Sequence, residues 1–256
     1  KDLKMKYLSP SNINSNIIRN FIKKIKPDLM VLCGYSQNIL KKEIFQIPKY
    51  GTWNLHASDL PKYRGAAPLN WAIINNEKKI GISIIEVDKT IDGGNILSKK
   101  FIKLVKGETI KTLTEKVNKI YPKMLFNEII KLKKGKTKKI KQKIKNATCF
   151  SKRYPDDSFL DFKNLTANQI QRLINASTYP YTSAFFFYKK KKFSVNANTE
   201  ILKNKFGISG RIIKRDKNSL TVICKENAIR LNEIIYKNSV INPLKLKINT
   251  GVDLNN

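Results

Sequence analysis

Residues 28–56, DLMVLCGYSQNILKKEIFQIPKYGTWNLH, carry the signal that decides the fold. Asp28 to Cys33 is a short apolar run of the kind that forms a buried strand in a parallel sheet. A Gly-Tyr-Ser-Gln-Asn loop follows, then a short helix near residues 38–45 and a second strand over Gly51 to His56. Strand, helix and strand in this order predict an α/β domain. Upstream, Ile13, Ile17, Ile18, Phe21, Ile22 and Ile25 share one face of a helix over residues 12–25, ended by Pro27. Downstream, Pro68 opens a helix over Leu69 to Asn75. Ile82–Val87 and Ile96–Leu104 read as strands joined by the loop DKTIDGG. From Thr109 an amphipathic helix carries Ile110, Leu113, Val117, Ile120, Met124 and Ile129 and fades into lysines near Gly135.

The texture changes at about residue 146. A helix over Ala167 to Ala176 precedes short β-rich runs at Ser183–Tyr188, Lys192–Val195, Gly210–Arg215, Leu220–Cys224 and Ile229–Ile235. Such spacing predicts a small barrel or sandwich. The expected division is a catalytic domain over residues 1–146 and a β-rich, barrel-like domain over 147–250, with a frayed tail from Gly251 to Asn256.

A chain of 256 residues can bury a sizeable core. It opens on Lys1 and enters folded-looking sequence at once, so an N-terminally trimmed fragment is expected. No run approaches the length of about 18 apolar residues that a membrane span needs, and no signal peptide is visible. Cys33, Cys149 and Cys224 are odd in number and widely separated, with one histidine in the chain. That pattern predicts no metal site and a reduced, cytoplasmic compartment. The net charge of +32 comes almost wholly from lysine. Lys, Asn and Ile, all abundant here, share A/T-rich codons, so a solvated surface accounts for the trio without a nucleic-acid partner. The densest cluster, Lys131 to Lys145, is a candidate for phosphate contact.

The single histidine, His56, is the chain's one imidazole able to trade protons near neutrality. Side chains alternate along a strand, so Asn54 and His56 project from one face. Ligands in open α/β sheets collect beyond the carboxyl ends of strands. An amide and an imidazole there suit acyl-type transfer, one steadying an oxyanion and the other moving a proton. Asn-Leu-His alone fits a sheet edge with two polar residues better. Pro61 to Gly65 forms a stiff cationic loop that can present Lys62 and Arg64 to an anionic substrate. Asp92 precedes a Gly-Gly pair on a tight turn, where a carboxylate could orient the imidazole; an ordinary turn reads the same way.

Together, NLHASDLPKYRGAAP and TIDGGNIL resemble the formyltransferases that use 10-formyltetrahydrofolate, and the segment LCGYSQNIL aligns as well. The likeness covers residues 10 to 240. It implies a Rossmann-like formyltransferase domain lacking its first strand–helix–strand section. By position it makes Asn54 the oxyanion stabiliser, His56 the proton carrier and Asp92 the carboxylate that tunes it. Asn38, Ile39 and Leu40 would line one wall of the folate pocket, with Asp88, Lys89, Thr90, Ile91 and Asp92 on the other. Asp59 stands where the family carries leucine, a departure that the sequence does not explain.

The resemblance also bears on the amine. Ala67-Pro68-Leu69-Asn70-Trp71 and the segment from Ala147 to Phe162 look like sugar N-formyltransferases, including the formyltransferase domain of the bifunctional polymyxin-resistance enzyme. The expected substrate is thus a nucleotide-linked amino sugar, with a place in lipopolysaccharide or O-antigen synthesis and a homodimer as a possible assembly. The alternatives are formylation of methionyl-tRNA, which would use the positive charge, and a basic nucleic-acid-binding relative without activity.

Overall fold

The computed structural model describes residues 8–35, 39–245 and 248–254. They pack as two compact units that interleave along the sequence. The first takes in the chain up to Ala66, Gly81–Phe101 and Tyr121–Cys149. The second takes in Ala67–Ile80, Ile102–Ile120 and the chain from Phe150 onward.

Helix α1 spans Asn16–Ile25 and starts later than its apolar periodicity predicts, because Ser15 caps it by accepting the Ile18 N–H at 3.4 Å. Only Ile18 and Ile22 are buried, while Ile17 and Ile25 face outward. Lys26 turns the chain in a left-handed conformation before Pro27. Strand β1 (Met30–Cys33) follows, then α2 (Lys42–Phe45), a single turn, and β2 (Thr52–His56). Leu40, Ile44 and Phe45 join Ile18 and Ile22 in one apolar cluster. Strand β3 (Arg64–Gly65), helix α3 (Pro68–Ile74) and strands β4 (Lys79–Glu86) and β5 (Ile96–Lys103) come next, followed by helix α4 (Ile110–Lys133).

One sheet has the order β1-β2-β4-β5. Strands β1 and β2 run parallel, with Val31 opposite Trp53. Strands β2 and β4 run antiparallel, with His56 opposite Ser83. The sheet is therefore mixed. Strand β1 is half-exposed where a buried strand was expected, because it lies at the edge of the described sheet. Burial is deepest on β4, where Ile82, Ile84 and Ile85 are wholly enclosed.

After the short strand β6 (Cys149–Phe150), the second unit continues with α5 (Ala167–Ala176), which opens on a reciprocal Thr166–Gln169 capping box. Eight strands follow: β7 (Ala184–Tyr188), β8 (Lys191–Val195), β9 (Thr199–Leu202), β10 (Ile212–Arg215), β11 (Leu220–Ile223), β12 (Ala228–Leu231), β13 (Ile234–Tyr236) and β14 (Ser239–Val240). They form two antiparallel four-stranded sheets, β10-β11-β12-β9 and β14-β13-β8-β7. Among the described residues these sheets do not close into a barrel. The run Ile229–Ile235, expected as one strand, is two. The chain leaves one sheet for the other at Asn232 and Glu233, which pair with the backbone of Asn198 and Asn196. The tail does not fray as far as Leu254. Leu254 is buried, its N–H donates to the Gly210 carbonyl at 2.8 Å, and Asp253 pairs with Arg211 at 2.9 Å.

Candidate active site

Strand β2 is flanked by paired strands on both sides, so its backbone is a fixed platform for the side chains at its carboxyl end. Asn54 and His56 stand two residues apart on it, and the turn after β4 brings Asp92 to both. The Asn54 amide donates to Asp92 Oδ1 at 3.1 Å. The second carboxylate oxygen accepts the Gly65 N–H at 2.9 Å and lies 3.6 Å from His56 Nδ1. Asp92 adopts a left-handed backbone (φ 50°), a conformation that aspartate tolerates better than most residues. The turn that the sequence suggested thus delivers its carboxylate to the amide, the imidazole and the loop of residues 61–65 together.

His56 is buried, and its Nε2 lies 2.8 Å from the Tyr63 carbonyl oxygen. A carbonyl only accepts, so Nε2 carries a hydrogen. In the neutral ring Nδ1 is then the bare nitrogen, on the side facing Asp92. The loop supplying that carbonyl is tied down along its length. Ser58 Oγ donates to the Lys62 carbonyl at 2.9 Å, and Ser83 Oγ to the Ser58 carbonyl at 2.8 Å. Thr148 accepts the Tyr63 N–H on its hydroxyl and the Arg64 N–H on its carbonyl, both at 2.9 Å.

The remaining residues singled out in the sequence divide in their placement. Lys62 is exposed on the loop. The Arg64 guanidinium is engaged by Gln142, with Nη2 2.7 Å and Nε 3.2 Å from its carbonyl oxygen. Asp88 closes a local turn, accepting the Thr90 N–H at 2.8 Å and the Thr90 hydroxyl at 2.6 Å. Lys89, Thr90 and Ile91 form the exposed tip of that loop. Ile39 is also exposed, whereas Leu40 is buried in the apolar cluster beside α1 and α2. Asn38 lies outside the described residues. Asp59, the departure noted above, pairs with Lys99 at 2.7 Å, and Lys99 also donates to the Leu60 carbonyl. It is a latch on the loop.

The sequence pattern of the N-terminal formyl transferase domain matches residues 1–129, and that of the formyl transferase C-terminal domain matches residues 152–243. The chain belongs to the formyl transferase family. It is 36% identical over 234 residues to the bifunctional polymyxin resistance protein ArnA of Wigglesworthia glossinidia brevipalpis, covering 89% of this chain and 34% of that protein. It is also 36% identical over 238 residues to the methionyl-tRNA formyltransferase of Caldanaerobacter subterraneus, covering 92% of this chain and 75% of that one. Among solved structures, the sugar 3N-formyl transferase WlaRD shares the fold with a TM-score of 0.61 at 20% identity, over 84% of this chain and 77% of its own.

Within this formyl transferase chain, sequence reasoning overlooked residues that act through long-range contacts. Asn14 accepts the Lys41 N–H at 2.8 Å and donates to the Ile39 carbonyl at 2.9 Å, holding the backbone of that segment. Gln142 comes from the lysine tract after α4, which reads as a solvated surface or a phosphate contact, and Thr148 from the segment 147–162, which stands out in the sequence only for its likeness to sugar N-formyltransferases. The tract itself does not mark Gln142, because Thr137, Ile140 and Ile144 are likewise uncharged residues between two lysines.

Proposed function

We propose that this chain transfers a formyl group from 10-formyltetrahydrofolate to the amine of a nucleotide-linked amino sugar. The observation that carries formyl transfer is the shared Asp92 carboxylate, which orients Asn54 and stands beside the bare nitrogen of His56. The neutral amine attacks the formyl carbon and forms a C–N bond, and the carbonyl electrons move to oxygen. One Asn54 N–H is held by Asp92; the other is left to donate to that oxyanion. His56 Nδ1 takes the amine proton, and the adjacent Asp92 carboxylate balances the imidazolium. When the intermediate collapses, the bond to N10 breaks. His56 returns the proton to the leaving nitrogen, giving tetrahydrofolate and the formamide. Lys62, exposed on the loop, would meet the substrate's phosphates.

The preference for a sugar rests on the motifs at residues 67–71 and 147–162. Trp71 packs at a tilt against Phe150 (5.4 Å between centroids), donates to the Ser151 carbonyl at 3.0 Å and lies under the Arg153 guanidinium. Both motifs therefore belong to one packed feature and count as a single signal. Methionyl-tRNA is the second reading, favoured by the charge of +32 and the 36% identity to a methionyl-tRNA formyltransferase.

The test is incubation with 10-formyltetrahydrofolate and either a nucleotide-linked amino sugar or methionyl-tRNA, with formylated product read by mass. Formylation of the sugar alone supports the proposal, and formylation of the tRNA alone replaces it with the second reading. Salt-dependent RNA binding without transfer to either amine would overturn both.

A further inference from the structure

The stretch after α4 reads as a solvated lysine tract, yet one of its side chains turns inward. Gln142 is buried while Lys141 and Lys143 on either side are exposed. Its amide nitrogen has two hydrogens, and both are used, on the Asp92 carbonyl at 2.8 Å and the Gly94 carbonyl at 2.7 Å. Its carbonyl oxygen accepts from Arg64 Nη2 at 2.7 Å and from Arg64 Nε at 3.2 Å. All of its hydrogen-bonding capacity is spent.

These partners are the two segments that hold His56. Arg64 lies between Tyr63, whose carbonyl binds His56 Nε2, and Gly65, whose N–H binds Asp92. On the other side, Gln142 grips the backbone of Asp92 itself and that of Gly94 in the same turn. Gly94 has no room to move. A Cβ there would stand 1.9 Å from the Glu86 carbonyl oxygen, so the turn is pressed against β4. Gln142 thus joins the loop that carries the carbonyl clamp on Nε2 to the turn that carries the carboxylate beside Nδ1.

We infer that Gln142 is a positioning residue for formyl transfer, fixing the distance between Asp92 and the loop of residues 63–65 and so the orientation of the His56 ring. The inference rests on the reading of Asn54, His56 and Asp92 as the reacting groups. Its chemistry requires an amide. A carboxylate at 142 would still accept from Arg64 but would set oxygen against the Asp92 and Gly94 carbonyls. A methionine of similar length would do neither.

The test uses Gln142→Met and Gln142→Glu in the full chain, with two readouts. His56 is the single histidine of the chain, so its imidazole NMR resonances need no assignment. Both variants are expected to displace those resonances while keeping a cooperative thermal transition. With whichever amine is accepted, kcat should fall about tenfold to a hundredfold, the size of effect that misplacing a reacting group has. KM for the formyl donor should stay within about twofold, as expected when only transition-state geometry is lost. Folded variants with unmoved His56 resonances would overturn the inference. So would failure of both variants to fold, which would make Gln142 a stabilising residue only. The NMR readout needs no turnover. Displaced resonances in a protein inactive on every amine would leave the positioning role standing and remove the formyl-transfer reading instead.

Discussion

The Asn54 amide donates to the Asp92 carboxylate at 3.1 Å across 38 residues of sequence. An amide beside a carboxylate must present N–H to it, so the contact settles which way Asn54 faces and where its second N–H is free. Removal of a single oxyanion donor costs about a hundredfold to a thousandfold in rate. Asn54→Ala is expected to lose kcat by that factor, with formyl-donor binding kept. Asp92→Ala, which leaves Asn54 in place but unoriented, should lose a similar factor. Steady-state kinetics on the two variants decide the matter, and near-normal turnover in either one removes the mechanism.

Much of this site was legible because strand alternation is local. Asn54 and His56 had to share a face, and a Gly-Gly pair after Asp92 had to turn. What escaped depends on contacts distant in sequence. Gln142 reaches the Asp92 carbonyl across 50 residues, and nothing in a lysine tract reveals which residue points inward. Strand β1 looked buried because its residues are apolar, but burial is set by the neighbours a strand has. Strand β9 (Thr199–Leu202) passed unnoticed because four residues with a central glutamate show no clear period.

Asp59 and Lys99 form a half-exposed pair that pins the Leu60 carbonyl, which gives the family departure at 59 a physical role. Partly exposed pairs contribute little, roughly 0.2–1 kcal/mol in double-mutant cycles. A cycle of Asp59→Asn and Lys99→Met should return a coupling in that range that shrinks with added salt. A coupling of zero at low salt would show that the two side chains act separately.

The three thiols should separate sharply. Cys33 and Cys149 are exposed, whereas Cys224 is buried. Burial pushes the Cys224 thiol up to about 12, with the Ile229 N–H pulling weakly the other way. Thiolate is the reactive form. At pH 8 an aromatic disulfide reagent is expected to titrate Cys33 and Cys149 quickly and Cys224 only after denaturant is added. Three fast thiols in the native protein would contradict the packing of the second unit.

Two glycines mark close backbone approaches. A Cβ on Gly94 would stand 1.9 Å from the Glu86 carbonyl oxygen, and one on Gly81 would stand 2.5 Å from Asp59 Cα. Neither obstacle is a flexible side-chain end. Gly94→Ala and Gly81→Ala should each cost about 3 kcal/mol or more, in the tail of single substitutions. Gly107→Ala is the contrast. Its Cβ meets nothing, and only its positive φ is strained, for about 1 kcal/mol. Urea denaturation midpoints rank the three, and equal losses would mean that the close approaches relax freely.

Glu108 gives the stability a pH dependence whose sign can be worked out. Its side chain is buried, and burial alone would push its pKa up. Hydrogen bonds from Lys116, Thr112 and the Val105 N–H, together with the charge of Lys116, outweigh that and hold it below the usual glutamate value. A carboxylate with a depressed folded-state pKa binds protons more readily when unfolded. Its stabilisation is therefore present in full above the unfolded value of about 4.3 and is lost as pH falls through the folded one. Glu108→Gln should be less stable than the parent at pH 7, and the gap should close progressively as the pH drops below about 4. The measurement is the free energy of urea unfolding for both proteins across that range. A gap that stays constant down to acid pH would assign the loss to packing and geometry alone, and the Lys116–Glu108 charge pairing would then contribute nothing measurable.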